Sequence, residues 1–263
     1  AARRSGVRAA ARRGLAAAIL ALLAAPTTAQ DSFLERFEGD ALDPARWMVS
    51  DGWTNGAHQL CGWSRDRLSV GGGALRLSVT ADEAADRPVA CAEAQSRARY
   101  GYGVYEARIA PAVAPGAVSA LFTYLGPVHG AEHDEIDIEF LGKDPGRVQL
   151  NLFVDGEGGR ESHFPLSGPP GAARDVAFEW TPNAIRWWVD GELARETTRA
   201  DGPLPSPPAK IYLSLWIGAD EGWLGRFDPA DLPLSMRVER LAFTAPGDPC
   251  PFEGSVACRD GAR

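Results

Sequence analysis

The sequence predicts an all-β protein, a two-sheet sandwich of jelly-roll type, on three observations. Short segments that alternate apolar and polar side chains recur along the chain, and period-two alternation marks a half-buried strand. The 29 Gly and 20 Pro among 263 residues punctuate these segments. Beyond the first thirty residues no stretch sustains a long helical period. Many short strands separated by turn residues belong to sandwiches and barrels.

Residues 1–29 read as a signal peptide. Arg3, Arg4, Arg8, Arg12 and Arg13 form a basic start, an apolar run covers 15–25, and Thr27-Thr28-Ala29 supplies small residues for cleavage before Gln30. The apolar run is short for a bilayer span. A secreted or periplasmic protein is expected, with no membrane partner after cleavage. Strands are then expected at 67–70, 74–80, 103–109, 119–124, 135–141, 147–153, 176–180, 184–189, 210–217 and 235–243. Asp190-Gly191 reads as a two-residue hairpin turn between the strands on either side. One domain is expected over 30–244. Residues 245–263, rich in Pro, Gly and Asp, read as a C-terminal extension.

The chain carries a formal charge of −8, and residues 1–29 hold five Arg and no acid, so the mature chain stands at −13. Nucleic acid is an unsuitable partner for such a surface. Four cysteines in an exported chain suggest two disulfides. Cys250 and Cys258 close a short loop and pair locally, which leaves Cys61 with Cys91. No C-x-x-C occurs, so a zinc or redox reading is weak.

The chemistry concentrates in His133-Asp134-Glu135-Ile136-Asp137-Ile138-Glu139-Phe140. On a strand, Glu135, Asp137 and Glu139 share one face, and Ile136, Ile138 and Phe140 take the other. Neighbouring carboxyls resist joint ionisation, and glycoside cleavage needs one charged and one protonated. On a straight strand the Cα atoms of Glu135 and Glu139 are about 13 Å apart. Side chains leaning together on a curved strand can reach the roughly 5–5.5 Å of a retaining glycosidase. Asp137 can bond either one. The competing reading is a solvated strand face, where acids serve solubility.

Trp53, Trp63, Tyr100, Tyr102, Phe122, Tyr124, Phe153, Trp216 and Trp223 are candidates to stack on sugar rings, against a role in the core. His129 and His133, four apart, could hold zinc on a helix, but Gly126, Pro127 and Gly130 disfavour a helix there.

The run EIDIEFLG at 135–142, with Lys143-Asp144-Pro145 and Val148-Gln149-Leu150-Asn151, resembles the active-site strand of glycoside hydrolase family 16. The likeness extends to Trp53-Thr54-Asn55-Gly56, the run 100–106 (YGYGVYE), the run 122–127 (FTYLGP), Trp188-Val189-Asp190-Gly191 and Leu215-Trp216. It is nearest to bacterial lichenases and to endoglycanases that trim bacterial exopolysaccharides. The resemblance implies a curved jelly roll with a cleft on its concave face. It implies Glu135 as nucleophile, Glu139 as acid/base and Asp137 as assistant to Glu135, with retention through a glycosyl-enzyme intermediate. The pKa of Glu139 is expected to be raised by the charge on Glu135.

By position the resemblance also carries over the cleft residues Asn55, Glu93, Phe122, Tyr124, Asn151, Phe153, Trp216 and Trp223. His133 borders the catalytic strand where lichenases have Trp, Gln95 replaces a cleft Arg, and Trp53 replaces a Tyr. These departures suggest a decorated exopolysaccharide such as succinoglycan beside plain β-1,3-1,4-glucan. Cys61 and Cys91 fall where lichenases carry their disulfide. No cofactor is implied for catalysis, but a structural calcium is, at about Glu38, Gly73 and Glu239. The implied partner is a polysaccharide, and the implied protein is a monomer. Two other readings compete: a transglycosylase on the same fold, and a lectin-like module, which would need no carboxylate trio.

Overall fold

The computed structural model describes residues 30–259. The expected signal peptide lies outside the described residues, as do the last four residues of the extension. Two antiparallel sheets stack face to face. In one, the strands run in the order Ser162–Pro165, Arg147–Phe153, Asp134–Leu141, Ala117–Leu125, Lys210–Ile217, Ala90–Ser96 and Trp47–Val49. In the other the order is Glu192–Thr198, Ala184–Val189, Arg174–Trp180, Gly103–Ala110, Leu234–Thr244, Leu75–Val79 and Leu68–Val70. The expected strands are present within a few residues of their expected ends. Asp190 and Gly191 both take positive φ, 48° and 80°, as a type I′ hairpin turn demands.

Alternation divides each strand between two environments. Ile136, Ile138 and Phe140 enter the core with Leu121, Leu150, Leu213 and Leu215. Tyr105 and Phe178 stack at 4.6 Å from the opposite sheet. Trp63 and Tyr100, candidate sugar platforms in the sequence, are core side chains at 1% and 5% exposure. Trp187 is wholly buried, and its indole N–H donates to the Asp137 carbonyl oxygen at 3.1 Å. The second sheet thereby pins the middle of the acidic strand. Gly142 ends that strand where a Cβ would lie 2.2 Å from the Ala114 carbonyl oxygen, so no larger residue fits.

Both expected disulfides form, Cys61–Cys91 and Cys250–Cys258. The extension folds back on the outer face of the second sheet. There Ser255 Oγ and the Val256 N–H donate to the two oxygens of Glu106 at 2.5 and 2.7 Å. Val256 packs with Val104, Ala177 and Trp188.

Candidate active site

The acidic strand Asp134–Leu141 keeps unbroken register with both neighbours. Residues opposite one another share a face, so three rows cross the open face of the sheet. Glu135 lies between Phe153 and Tyr124, with Lys210 beyond. Asp137 lies between Asn151 and Phe122, followed by Tyr212 and Gln95. Glu139 lies between Gln149 and Ala120, followed by Ser214 and Glu93.

Over these rows runs a groove of about 1130 Å³. The three acids line it, as do Asn55, Glu93, Phe122, Tyr124, His133 and Trp216. The remaining expected cleft residues flank it. Asn151 is buried beside Asp137, and its Oδ1 has no protein partner. The Phe153 ring stacks on His133 at 4.7 Å. Trp223 sits 6.2 Å from Trp216 and donates its indole N–H to Gln149 Oε1 at 3.2 Å.

Burial and like charge set the protonation of Asp137 and Glu139. Glu139 is pushed up to about 7, first by burial; the Gln149 amide, donating to Oε2 at 2.7 Å, pulls it back, and Glu135 raises it further. Burial therefore exceeds the Glu135 charge that the sequence put first. Asp137 is driven well above the usual carboxylate range by burial, then by the charges of Glu135 and Glu139 and a hydrogen bond to Glu135. Glu93 is pushed up to about 7 by burial, against a 2.5 Å hydrogen bond from Ser50 Oγ. Asp137, Glu93 and the half-buried Glu139 favour their protonated forms.

Several groups escaped the sequence reading as site residues. Gln149 orients Glu139, although the alternation Gln149, Asn151, Phe153 against Leu150 and Leu152 was there to be read. Tyr212 stacks on Phe122 at 4.8 Å. Lys210 reaches Gln95 Oε1 at 2.9 Å. The neighbouring strand thus supplies a cation beside the position where Gln95 was expected to lose one. Lys210 and Arg99 both line the groove, and neither enters an ion pair among the described residues.

The expected calcium position does not fit the ion. Glu239 is bonded through one oxygen to Arg108 Nε at 3.0 Å and through the other to Arg237. Two guanidiniums neutralise Glu239, and Glu38, the other acid of the set, is exposed. The described residues hold no group of three or more His, Cys, Asp or Glu that could bind a metal ion. His129 lies in the short helical turn Pro127–His129 and hydrogen-bonds Tyr212 through Nε2 at 3.2 Å.

The model of the glycosyl hydrolases family 16 matches residues 55–228. Over 234 residues the chain is 45% identical to the endo-1,3-1,4-beta-glycanase ExoK of Rhizobium meliloti, covering 87% of this chain and 84% of that one. It is 39% identical over 217 residues to a beta-glucanase of Bacillus subtilis, covering 81% and 86%. Among solved structures, a beta-1,3-1,4-glucanase (lichenase) derived from a mouse hindgut metagenome superposes with a TM-score of 0.77 at 38% identity, covering 82% of this chain and 99% of that one.

Proposed function

The chain belongs to the glycosyl hydrolases of family 16, and on that premise we propose that it is an endo-acting, retaining hydrolase of β-1,3-1,4-glucan-type polysaccharide. The observation that carries the reading is a half-buried Glu139, raised to about 7, on one sheet face with Glu135. Glu139 gives its proton to the glycosidic oxygen as that bond breaks. Glu135 attacks the anomeric carbon and forms the glycosyl-enzyme ester. Glu139, now a base, takes a proton from water, and the hydroxide frees the sugar with its configuration retained. Asp137, protonated, donates to Glu135 and spreads its charge. Asn151 Oδ1 and Ser214 Oγ, both without a protein partner, suit sugar hydroxyls.

A finer reading of the substrate has support in the groove. Arg99 and Lys210 at one end favour a backbone bearing carboxylate substituents, such as succinoglycan with its succinyl groups. The two disulfides support an extracytoplasmic enzyme. It acts as a monomer, with one catalytic domain over 30–244 and a clipped extension over 245–263.

Product analysis on barley β-glucan, laminarin and succinoglycan tests the substrate. Internal cleavage with a retained anomer is expected on β-glucan or succinoglycan. Glu135→Ala tests the nucleophile. Its kcat should fall by roughly a thousandfold or more, because the covalent step loses its attacking group. Azide should partly restore turnover and yield a glycosyl azide of inverted configuration. A variant keeping about a tenth of the wild-type rate would falsify the assignment.

A further inference from the structure

Glu135 has a neighbour that the carboxylate trio does not account for. His133 stands at the entrance to the acidic strand, and its Nε2 lies 2.5 Å from Glu135 Oε2. The imidazole is held in place. It stacks on Phe153 at 4.7 Å with planes 14° apart, and the Tyr124 ring lies 5.1 Å away. The backbone carbonyl oxygen of His133 accepts the Gly156 N–H at 2.9 Å.

The groups around it leave Glu135 as its partner. Asp134 is adjacent, but one of its oxygens accepts the Asp155 N–H at 3.0 Å and the other the Ser206 N–H at 3.4 Å. Tyr124 faces it from the strand on one side. Phe153, on the other side, has no charge. His129, beyond Tyr124, is bonded to the Tyr212 hydroxyl.

We propose that His133 is a positioning residue for the nucleophile: its Nε2–H holds Glu135 Oε2, keeping that carboxylate ionised and aimed at the anomeric carbon. The proposal rests on Glu135 being the nucleophile. Charge on Asp137 or Glu139 beside Glu135 would oppose its ionisation. A donor to the charged oxygen offsets that opposition. Asp137 bonds the same carboxylate, so two donors fix its rotamer near attack geometry. The neutral imidazole is the active form. A second proton on His133 would turn the hydrogen bond into an ion pair, which keeps the carboxylate ionised but holds its electron pairs more tightly and slows its attack. The Glu135 hydrogen bond raises the His133 pKa from its ordinary value, which brings this slowing toward neutral pH.

Two variants and one titration test this. His133→Phe keeps a ring on Phe153 and deletes the donor. Its kcat should fall roughly 10- to 100-fold with KM little changed, the scale of a small misplacement of a reacting group. His133→Gln places an amide donor at similar reach and does not titrate. It should keep most of kcat, and the acid limb of kcat should move to lower pH. In an NMR titration of the wild type, the His133 ring should hold its proton at least about tenfold more tightly than in Glu135→Gln. A wild-type kcat in His133→Phe, an equal loss in both variants, or a His133 titration unmoved by Glu135→Gln would each overturn the proposal. The titration needs no turnover. If the wild type cleaves none of the polysaccharides, the proposed function fails, while the pairing is still decided by the titration.

Discussion

Glu139 is half-buried on a sheet face shared with two other acids, and the consequence is measurable in stability as well as in rate. Its pKa of 4.5 in an open chain rises to about 7 in the fold, so the folded state binds this proton more tightly than the unfolded state. For a raised carboxyl the stabilisation is full below 4.5 and is lost as pH rises through the folded value near 7. By pH 8 the ionised carboxyl costs up to about 3 kcal/mol. Glu139→Gln should therefore raise stability in urea denaturation at pH 8 by up to that amount, and hardly at all at pH 4. An equal gain at both pH values would show that burial is not the cause. The same substitution should abolish the basic limb of the kcat/KM profile, which falls near 7 in the wild type.

Two elements hold the site from outside the acidic strand. The Cys61–Cys91 bond ties the segment bearing Trp53 and Asn55 to the strand that carries Glu93. Gln59 donates to Cys91 Sγ at 3.4 Å and accepts the Asn55 N–H at 2.8 Å, so the cleft loop is built on the disulfide. Its residues are 30 apart, a loop whose closure contributes about 3–4 kcal/mol in the chain-entropy account. Replacing both cysteines by Ser should lower stability by up to that amount and raise KM more than it lowers kcat. A KM unchanged in a destabilised variant would separate the bond from the cleft. The C-terminal extension acts on the opposite face. Truncation after Asp248 should bare Trp188 and Val104, lower Tm by several degrees, and leave kcat/KM unchanged, because Glu106 and its partners lie across the sandwich from the groove. Loss of activity in a folded truncation would contradict that separation.

At the scale of the molecule, one end of the groove carries cations that contrast with the charge of the chain. The whole sequence carries −8, yet Arg99 and Lys210 stand together at one end of the cleft. A local cationic field on an acidic protein selects anionic ligands and is screened by salt within about 10 Å at 0.1 M. Raising ionic strength should lower kcat/KM on succinoglycan and leave barley β-glucan nearly unaffected. Lys210→Gln should reduce the same preference. Equal salt responses on both substrates would remove charge from the specificity. The sandwich itself supports the site through Trp187, and through Arg195, whose guanidinium lies 4.7 Å over the Trp187 ring and donates to the Leu150 carbonyl oxygen at 2.8 Å.

The sequence by itself determined what depends on local order. Period-two alternation put Glu135, Asp137 and Glu139 on one face because strand geometry is set by neighbours in the chain. Asp190-Gly191 specified its turn for the same reason, through two residues that tolerate positive φ. The tertiary structure decided what depends on pairing between distant segments. The strand Ala90–Ser96 reads ACAEAQS, a composition with little β preference. It is a strand because partners on both sides complete its hydrogen bonds and bury all seven residues. Register brought Gln149 against Glu139 and Lys210 beside Gln95, and no period within one strand encodes the residue opposite. Glu239 looked like a calcium ligand in sequence, and two arginines on the folded sheet took its oxygens. Burial, which raises Glu139 above its ordinary range, is a property of the assembled sheets, since the removal of water requires every wall of the cleft to be in place.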